Sequence, residues 1–300
     1  MIRILGTFFA GLVGLAFGSF LNVCLSRWPA GESVVKPRSH CRSCGRTLAW
    51  RENVPLLSWL ALRGHCRTCG AWIGWRYPLV ELAVGALWAE VACQIIARFP
   101  DTHAADISIS YSPLFLLQTA FTVGGKMLLI WMLVGLAALD AEHLWLPDFV
   151  TLPAILLGII FSLLRGSPLL ARSYPPPSVL NQLLSLAFSI LIAAGLILLI
   201  RWIYWLVRRR EGIGLGDAKL MAMLASWLGL EGALLAFAIG VVLGAAVGLI
   251  ILATPKLRGT EDAWACTRLP LGTFLCIGGM ISCLWGQAIL AAYLSYSGLS

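Results

Sequence analysis

Four cysteines in two short repeats are the part of the sequence with the most evident chemistry. The six-residue unit HCRSCG begins at His40, and a near copy, HCRTCG, begins at His65, with 21 residues between the second cysteine of the first copy and the first cysteine of the second. Glycine after CxxC lets the chain fold back, so that two thiolates point at one ion, and two such turns complete a tetrahedral site. We therefore predict a structural zinc ion, with two redox dithiols or cysteines that merely pack as the alternatives. The predicted ligands are Cys41, Cys44, Cys66 and Cys69.

A second group with possible chemistry is a pair of aspartates. Asp140 ends one apolar segment, and Asp217, 77 residues later, begins another within Gly214-Leu215-Gly216-Asp217. Hydrolysis of a peptide bond by water needs two carboxyl groups, one to take a proton from water and one to protonate the carbonyl oxygen. If the two groups meet, they should share one proton. The sequence predicts Asp140 and Asp217 as the catalytic pair, and Gly214 and Gly216 as positions where an extended substrate strand can approach the backbone.

Other charged residues nearby are weaker candidates for this chemistry. Asp148 is a rival partner in the pair, but it follows Pro147 and begins an apolar segment, which is typical of a helix N-cap. We assign Lys126 no role, because a lysine within an apolar segment can snorkel or face the interior of the bundle. The residues expected to be exposed loop groups are Glu142, His143 and Lys219.

The elements that must position these residues are membrane helices. The chain is 59% hydrophobic and 12% charged, and a soluble globule of this composition would expose too much apolar surface. Apolar runs of about 20 residues recur along it, each long enough to cross a hydrocarbon core about 30 Å thick. We predict an all-α polytopic membrane protein whose first span is not cleaved as a signal peptide. Its eight expected spans lie near 4–25, 77–97, 113–139, 149–165, 179–206, 219–231, 233–253 and 270–296.

The distribution of basic residues predicts the orientation. The loop 26–76 holds nine Lys or Arg against two Glu, so the positive-inside rule places it in the cytoplasm. The basic loops 207–218 and 254–268 then fall on the same side, while 98–112 and 166–178 are poor in Lys and Arg. We expect the positive charge to attract the anionic lipids of the inner leaflet, and we expect no nucleic-acid partner.

With these motifs identified, nearly the whole chain resembles the bifunctional type IV prepilin leader peptidases with N-methyltransferase activity, a family of GxGD-type aspartyl peptidases. The resemblance implies that the two catalytic aspartates of the family correspond to Asp140 and Asp217. In two places the chain departs from the family pattern, and we expect neither to involve a catalytic group: Arg42 replaces a common proline, and Pro-Leu-Gly-Thr-Phe at 270–274 replaces a more usual Pro-Phe-Gly-Pro-Phe. The motifs that carry the resemblance are Gly18-Ser19-Phe20-Leu21-Asn22-Val23, Arg27-Trp28-Pro29, the cysteine repeats enclosing Glu52-Asn53-Val54-Pro55, Arg76-Tyr77-Pro78-Leu79-Val80-Glu81, the Leu146-Pro147-Asp148 motif that follows Asp140, and Gly214-Leu215-Gly216-Asp217-Ala218-Lys219.

The resemblance also implies activities, cofactors and substrates. It implies cleavage of a short basic leader from type IV prepilins or pseudopilins at the cytoplasmic face of the bacterial inner membrane, followed by methylation of the new N-terminal residue with S-adenosylmethionine. Glu81 and the cysteine loop are the candidates for the methyl-donor site. The expected domains are 1–112, which contains the zinc loop 27–76 and is associated with methyl transfer, and the peptidase core 113–297.

Two other functions fit part of the sequence. A proton-coupled transporter with a zinc-bearing cap would carry charged residues near the centres of its spans and would consist of two similar halves. A GxGD membrane protease with cleavage as its single activity would use the zinc loop only for structure or partner docking.

Overall fold

The predicted all-α fold is confirmed by the computed structural model, which describes residues 2–97, 113–165, 178–210, 214–254 and 269–298. Within these ranges there is no strand, and the two isolated bridges both lie in the cysteine loop. The predicted loops 98–112 and 166–178, and the basic loop 254–268, fall almost wholly outside the described residues. The helices are α1 (Ile2–Arg27), α2 (Leu57–Ala61), α3 (Arg76–Ile96), α4 (Pro113–His143), α5 (Asp148–Arg165), α6 (Val179–Arg208), α7 (Leu215–Ala253) and α8 (Leu271–Ser297), with short 3₁₀ turns at Trp28–Ala30 and Trp50–Glu52.

Seven described helices, all except the short α2, are long and apolar enough to cross a membrane. Helix α7 accounts for the eighth predicted span. Its 39 residues would extend about 58 Å, roughly twice the thickness of a hydrocarbon core. The helix is interrupted at Gly229, where φ is +75° and ψ is 179°, so the two predicted spans 219–231 and 233–253 are the two halves of α7.

The chain divides into two compact units, Met1–Ala138 and Leu139–Ser300. In the first unit, α1 packs against α3 with the two backbones in close contact. A Cβ atom on Gly18 would lie 2.7 Å from the Cα of Glu81, and one on Gly14 would lie 2.9 Å from the Cα of Gly85. Small residues allow membrane helices to approach in this way. The approach places Asn22 of α1 beside the first turns of α3, next to the cysteine loop.

In the second unit, α7 packs against α5, α6 and α8. The stretch Leu220–Ser226 is buried at every position, so the half of α7 that follows Asp217 is enclosed. Glycines again mark the closest contacts, since a Cβ atom on Gly240 would lie 3.1 Å from the backbone of Phe274 in α8. The start of α8 is thereby fixed against α7, and the functional site of this unit depends on that arrangement.

Replacing Gly229 by alanine should destabilise the second unit. Its φ and ψ lie in a region open essentially to glycine alone, and a non-glycine residue there costs on the order of 1–3 kcal/mol. No atom lies within 4 Å of the position of a new Cβ, so the cost would come from the backbone and not from a clash. Thermal unfolding of the detergent-solubilised protein should give a lower Tm for Gly229→Ala.

The matched control is Gly195→Ala, because Gly195 lies inside α6 with equally open space around it. Alanine favours a helix over glycine by about 1 kcal/mol, so this control should keep or raise the Tm. An equal Tm for the two variants would show that the break at Gly229 needs no glycine.

Candidate functional site

The four predicted metal ligands lie together at one point of the first unit. Their sulfur atoms all lie within 4.8 Å of one another, and the Sγ atoms of Cys41 and Cys69 are 3.7 Å apart. Zinc bound tetrahedrally by four thiolates at about 2.3 Å requires sulfur–sulfur distances of about 3.8 Å. The cluster therefore has the chemistry and nearly the dimensions of a four-thiolate metal site.

The two cysteine repeats fold in the same way. In the first, the amide of Gly45 donates to the carbonyl of Cys41 at 2.9 Å, and in the second, the amide of Gly70 donates to the carbonyl of Cys66 at 2.9 Å. Both glycines have a positive φ, +70° and +68°. A side chain would be strained in that conformation, and for this reason each CxxC is followed by glycine.

Backbone amides also surround the first sulfur of each repeat. The amides of Cys69 and Thr68 hydrogen-bond to Cys66 and lower the pKa of its thiol to about 6. The pKa of Cys41 is lowered in the same way by the amides of Cys44 and Ser43. The thiolate is the form that binds metal, so these turns prepare both sulfurs for an ion.

The two histidines of the repeats contact the backbone instead of the cysteine cluster. Nδ1 of His40 lies 3.1 Å from the carbonyl of Arg38, and Nδ1 of His65 lies 2.7 Å from that of Arg63. The structure therefore brings the four cysteines together without either histidine.

The predicted catalytic aspartates, Asp140 and Asp217, both lie in the second unit, with their carboxyl groups near one another. Asp140 is in the last turn of α4 and is 6% exposed, and Asp217 is in the first turn of α7 and is 8% exposed. The two carboxyl groups are near enough for a direct electrostatic interaction. Leu146 contacts residues next to both aspartates. A Cβ atom built on Gly216, the neighbour of Asp217, would lie 3.2 Å from Cδ1 of Leu146. A Cβ atom built on Gly272 would lie 3.0 Å from the same Cδ1 and 2.9 Å from Oδ2 of Asp140.

Asp140 has a partner that the sequence analysis missed. The backbone amide of Thr273 donates to its Oδ2 at 2.6 Å, and the Thr273 hydroxyl donates to the same oxygen at 3.1 Å. The expectation that the departure at 270–274 involves no candidate catalytic group is therefore wrong. Only part of this contact was visible in the sequence: a Gly-Thr pair at the start of an apolar helix offers free amides and a hydroxyl, but no local signal indicates which group they reach.

The carboxyl group of Asp217 has a hydrogen-bond partner in its own chain segment. The amide of Gly214, the residue that caps α7, is a hydrogen-bond partner of the Asp217 carboxyl group. Gly216 has a different surrounding, because a Cβ atom there would lie 3.2 Å from both Cβ and Cδ1 of Leu146. The absence of a side chain at Gly216 thus lets the connection between α4 and α5 approach the start of α7.

Asp148 pairs with a residue other than the two aspartates. It is the first residue of α5, and its Oδ1 accepts a hydrogen bond from Nζ of Lys219 at 2.6 Å. The expectation that Lys219 is a loop residue is wrong, because it is the fifth residue of α7. Glu142 and His143 are at the exposed end of α4, as expected, with their side chains 3.8 Å apart.

Glu81, the candidate for the methyl-donor site, lies beside a cavity of about 280 Å³ in the first unit. It is 7% exposed, and its Oε2 accepts the amide of Leu56 at 2.8 Å. Asn22, 2% exposed, lines the same cavity and donates its Nδ2 to the carbonyl of Tyr77 at 2.9 Å. Among the described residues, Oδ1 of Asn22 has no hydrogen-bond partner, and a buried polar atom in that state calls for a ligand or a water molecule.

The backbone at Leu56, whose amide binds Glu81, is strained. Leu56 has φ +58° and ψ −49°, and the amide of Leu57 donates to the carbonyl of Pro55 at 2.6 Å. This is a γ-turn with positive φ, a rare and unfavourable conformation. Strain of this kind persists where the surroundings demand it, which is common beside functional sites. Sequence reasoning had no means of locating it, since neither Leu nor its neighbours favour positive φ.

The fold and these sites define a polytopic helical membrane protein with a four-cysteine loop and two buried, neighbouring aspartates. Two family models match the chain: the bacterial peptidase A24 N-terminal domain over residues 12–95, which contain the cysteine loop, and the type IV leader peptidase family over 127–249, which contain both aspartates. No solved structure matches the chain.

Several curated relatives resemble the chain over most of its length. A prepilin leader peptidase/N-methyltransferase of Pseudomonas aeruginosa is 34% identical over 313 residues, which are 96% of this chain and 93% of the relative. The protein of the same name from Stutzerimonas stutzeri is 30% identical with the same coverage, and that of Myxococcus xanthus is 35% identical over 88% of this chain and 70% of the relative. The chain belongs to the type IV leader peptidase family.

Proposed function

We propose that this protein cleaves the leader peptide from type IV prepilins or pseudopilins and methylates the amino group that cleavage exposes. The observation that supports cleavage most directly is the pair of buried, neighbouring carboxyl groups of Asp140 and Asp217. The names of the relatives, which state both activities, support the assignment of both to this chain.

Cleavage requires the two aspartates to share one proton. Two carboxylates that lie close together in an apolar bundle cannot both ionise readily, so one remains protonated. The ionised carboxylate takes a proton from water, whose oxygen attacks the scissile carbonyl carbon, and the protonated partner donates to the carbonyl oxygen. When the carbon–nitrogen bond breaks, a proton passes to the leaving amine and the pair returns to its starting state. Gly214 would allow the substrate backbone to approach Asp217, whereas the expectation of the same role for Gly216 is wrong, because Leu146 fills the space beside it.

We propose that the site lies at the cytoplasmic face of the bacterial inner membrane. Asp140 and Asp217 lie in terminal turns of membrane-length helices, and three arginines, Arg208, Arg209 and Arg210, shortly precede Asp217. Basic residues next to spans favour the cytoplasm. An apolar substrate helix could remain in the bilayer while its leader junction reaches the aspartates.

For methyl transfer, the first unit offers a cavity with features that fit a methyl donor. S-adenosylmethionine supplies an electrophilic methyl group when bound. Its amino groups need acceptors, which the free Oδ1 of Asn22 and the carboxyl group of Glu81 could provide, and its adenine ring could stack on Trp59 or Tyr77 of the cavity wall. The cavity volume of about 280 Å³ is near the lower end of the roughly 300–1,000 Å³ typical of small-molecule sites.

The four-cysteine cluster would hold zinc as a structural ion. Four thiolates leave no coordination position open, which is the arrangement of structural and not catalytic zinc. The loop has little apolar core: the ring of Trp59 lies 4.6 Å from that of Trp75 and 5.9 Å from that of Trp72, but Trp72 and Trp75 are themselves exposed. A loop with so little core gains much of its folding free energy from the metal.

The transporter alternative finds less support. The described charged residues that are buried in the helices, Arg27, Glu81, Asp140 and Asp217, all lie within six residues of a helix end. A proton relay would need such groups near the middle of the spans.

Replacing either aspartate by asparagine should abolish cleavage. Each variant loses one member of a pair that acts as a unit, so the single-turnover rate with a purified prepilin should fall at least about a thousandfold. Asp148→Asn is the matched control: it changes an exposed aspartate in the same region and should keep most of the activity. Cleavage by Asp140→Asn or Asp217→Asn at the wild-type rate would refute the pair, and a wild-type protein that does not cleave would return the transporter alternative to consideration.

The purified protein should contain one zinc ion per chain, measurable by mass spectrometry of the metal. Cys44→Ser and Cys69→Ser should lose it, because three thiolates do not close the site. His40→Ala and His65→Ala serve as controls and should retain it, since both rings contact backbone carbonyls. Zinc loss in the histidine variants alone would contradict the assignment of the ligands.

Glu81→Gln should impair methyl transfer and spare cleavage. Glutamine keeps an oxygen for the amide of Leu56 but removes the negative charge beside the cavity, so transfer of labelled methyl from S-adenosylmethionine to cleaved pilin should fall at least about tenfold. Glu90→Gln, on the same helix, is the control. Undiminished transfer would remove Glu81 from the site, and cleavage by a wild-type protein that transfers no methyl group would support the single-activity protease.

A further inference from the structure

The two aspartates are held by different partners, and this difference bears on their roles. Asp140 receives two hydrogen bonds, both from Thr273 and both on Oδ2, whereas the partner of Asp217 is the amide of Gly214. Burial does not distinguish the two carboxyl groups, which are 6% and 8% exposed. Their hydrogen-bond donors and their positions at opposite ends of their own helices are the features that separate them.

The amide of Thr273 is available because of its place in α8. It is the third residue of that helix, and the first four amides of a helix have no acceptor within it. These amides form the positive end of the helix dipole. Asp140 itself lies at the C-terminal end of α4, where its own helix disfavours a negative charge. The start of α8 thus supplies the stabilisation that α4 cannot give.

Gly272 makes this contact possible. A Cβ atom at that position would lie 2.9 Å from Oδ2 of Asp140, closer than real Cβ atoms approach, and 3.0 Å from Cδ1 of Leu146, an unusually tight contact. Any larger residue would push the carboxyl group away from the amide of Thr273. The short N–H···O distance of 2.6 Å and the missing side chain are two separate signs that α8 is built to hold this carboxyl group.

We infer that Thr273 is a positioning residue that stabilises Asp140 as the ionised member of the pair, so that Asp140 takes the proton from water and Asp217 donates one to the substrate carbonyl. The inference rests on the proposed peptidase function and deepens it by assigning the two roles. Hydrogen bonds to a carboxylate favour its charged form and are stronger than bonds between neutral groups. Both bonds end on Oδ2, so neither of them occupies Oδ1 of Asp140.

Two variants test the hydroxyl donor. Thr273→Ser keeps both donors, and Thr273→Val keeps the amide but loses the hydroxyl. Single-turnover cleavage of a purified prepilin should be close to wild type for serine and reduced about tenfold for valine, because a donor to a charged group contributes that much. The rate constant at saturating prepilin should fall while the half-saturating concentration stays constant.

The relative cleavage rates of the serine and valine variants distinguish a positioning role of Thr273 from a packing role. Valine matches the shape of threonine better than serine does, so a purely structural role for Thr273 would make valine the better replacement. Thr151→Val is the control for loss of a buried hydroxyl, because that hydroxyl bonds to the carbonyl of Pro147 and not to an aspartate; it should cleave normally.

Equal cleavage by the wild type and by Thr273→Val would overturn the inference and leave the aspartate pair intact. Valine above serine would also overturn it. Failure of the wild type to cleave would instead overturn the proposed function, and the inference with it. A thermal unfolding scan of each variant identifies any that has not folded, and the serine–valine comparison then decides.

Discussion

The cost of burying carboxyl groups in an apolar helix bundle governs the second unit. An ionised carboxylate can remain there only with hydrogen-bond donors or an opposite charge. The chain meets this requirement with the ends of helices: Asp217 is in the first turn of α7 beside the amide of Gly214, and Asp140 is held by the first turn of α8. The glycines at 216 and 272 follow from the same requirement, since the turns that supply donors must approach closely.

The first unit solves a different problem, that of holding a loop with little core of its own. The thiolate cluster ties the two repeats together, and Arg46 and Glu52 join within the loop through two contacts of 2.7 and 2.9 Å. The hydrogen bond from Arg46 keeps the pKa of the Glu52 carboxyl group below its usual value. The link to the membrane helices runs through the strained turn at Leu56, whose amide reaches Glu81 on α3. The strained backbone of Leu56 and the Oδ1 atom of Asn22, which has no hydrogen-bond partner among the described residues, thus lie near one cavity. Binding of a ligand in that cavity could offset the free-energy cost of both.

Much of this arrangement could be predicted from the sequence, because the signals were local. Hydropathy located every described span, including both halves of α7, and the repeated CxxC-Gly units placed the four cysteines together. The contacts that were missed depend on tertiary packing. Nothing near Thr273 indicates that α8 begins beside Asp140, which precedes it by 133 residues, and no local preference predicts the positive φ of Leu56. Lys219 was assigned to a loop because the predicted span begins at residue 219, whereas α7 begins four residues earlier, at Leu215.

Thr273 shows why a departure from a family pattern has to be judged in three dimensions. The more usual pattern has proline at this position, and proline has no amide hydrogen to donate. In this chain both the amide and the hydroxyl of Thr273 reach Asp140. The substitution therefore adds two donors to a carboxyl group without altering any motif that carries an aspartate. A buried pair that shares one proton is sensitive to such a change, because the position of the proton depends on the difference between the two environments.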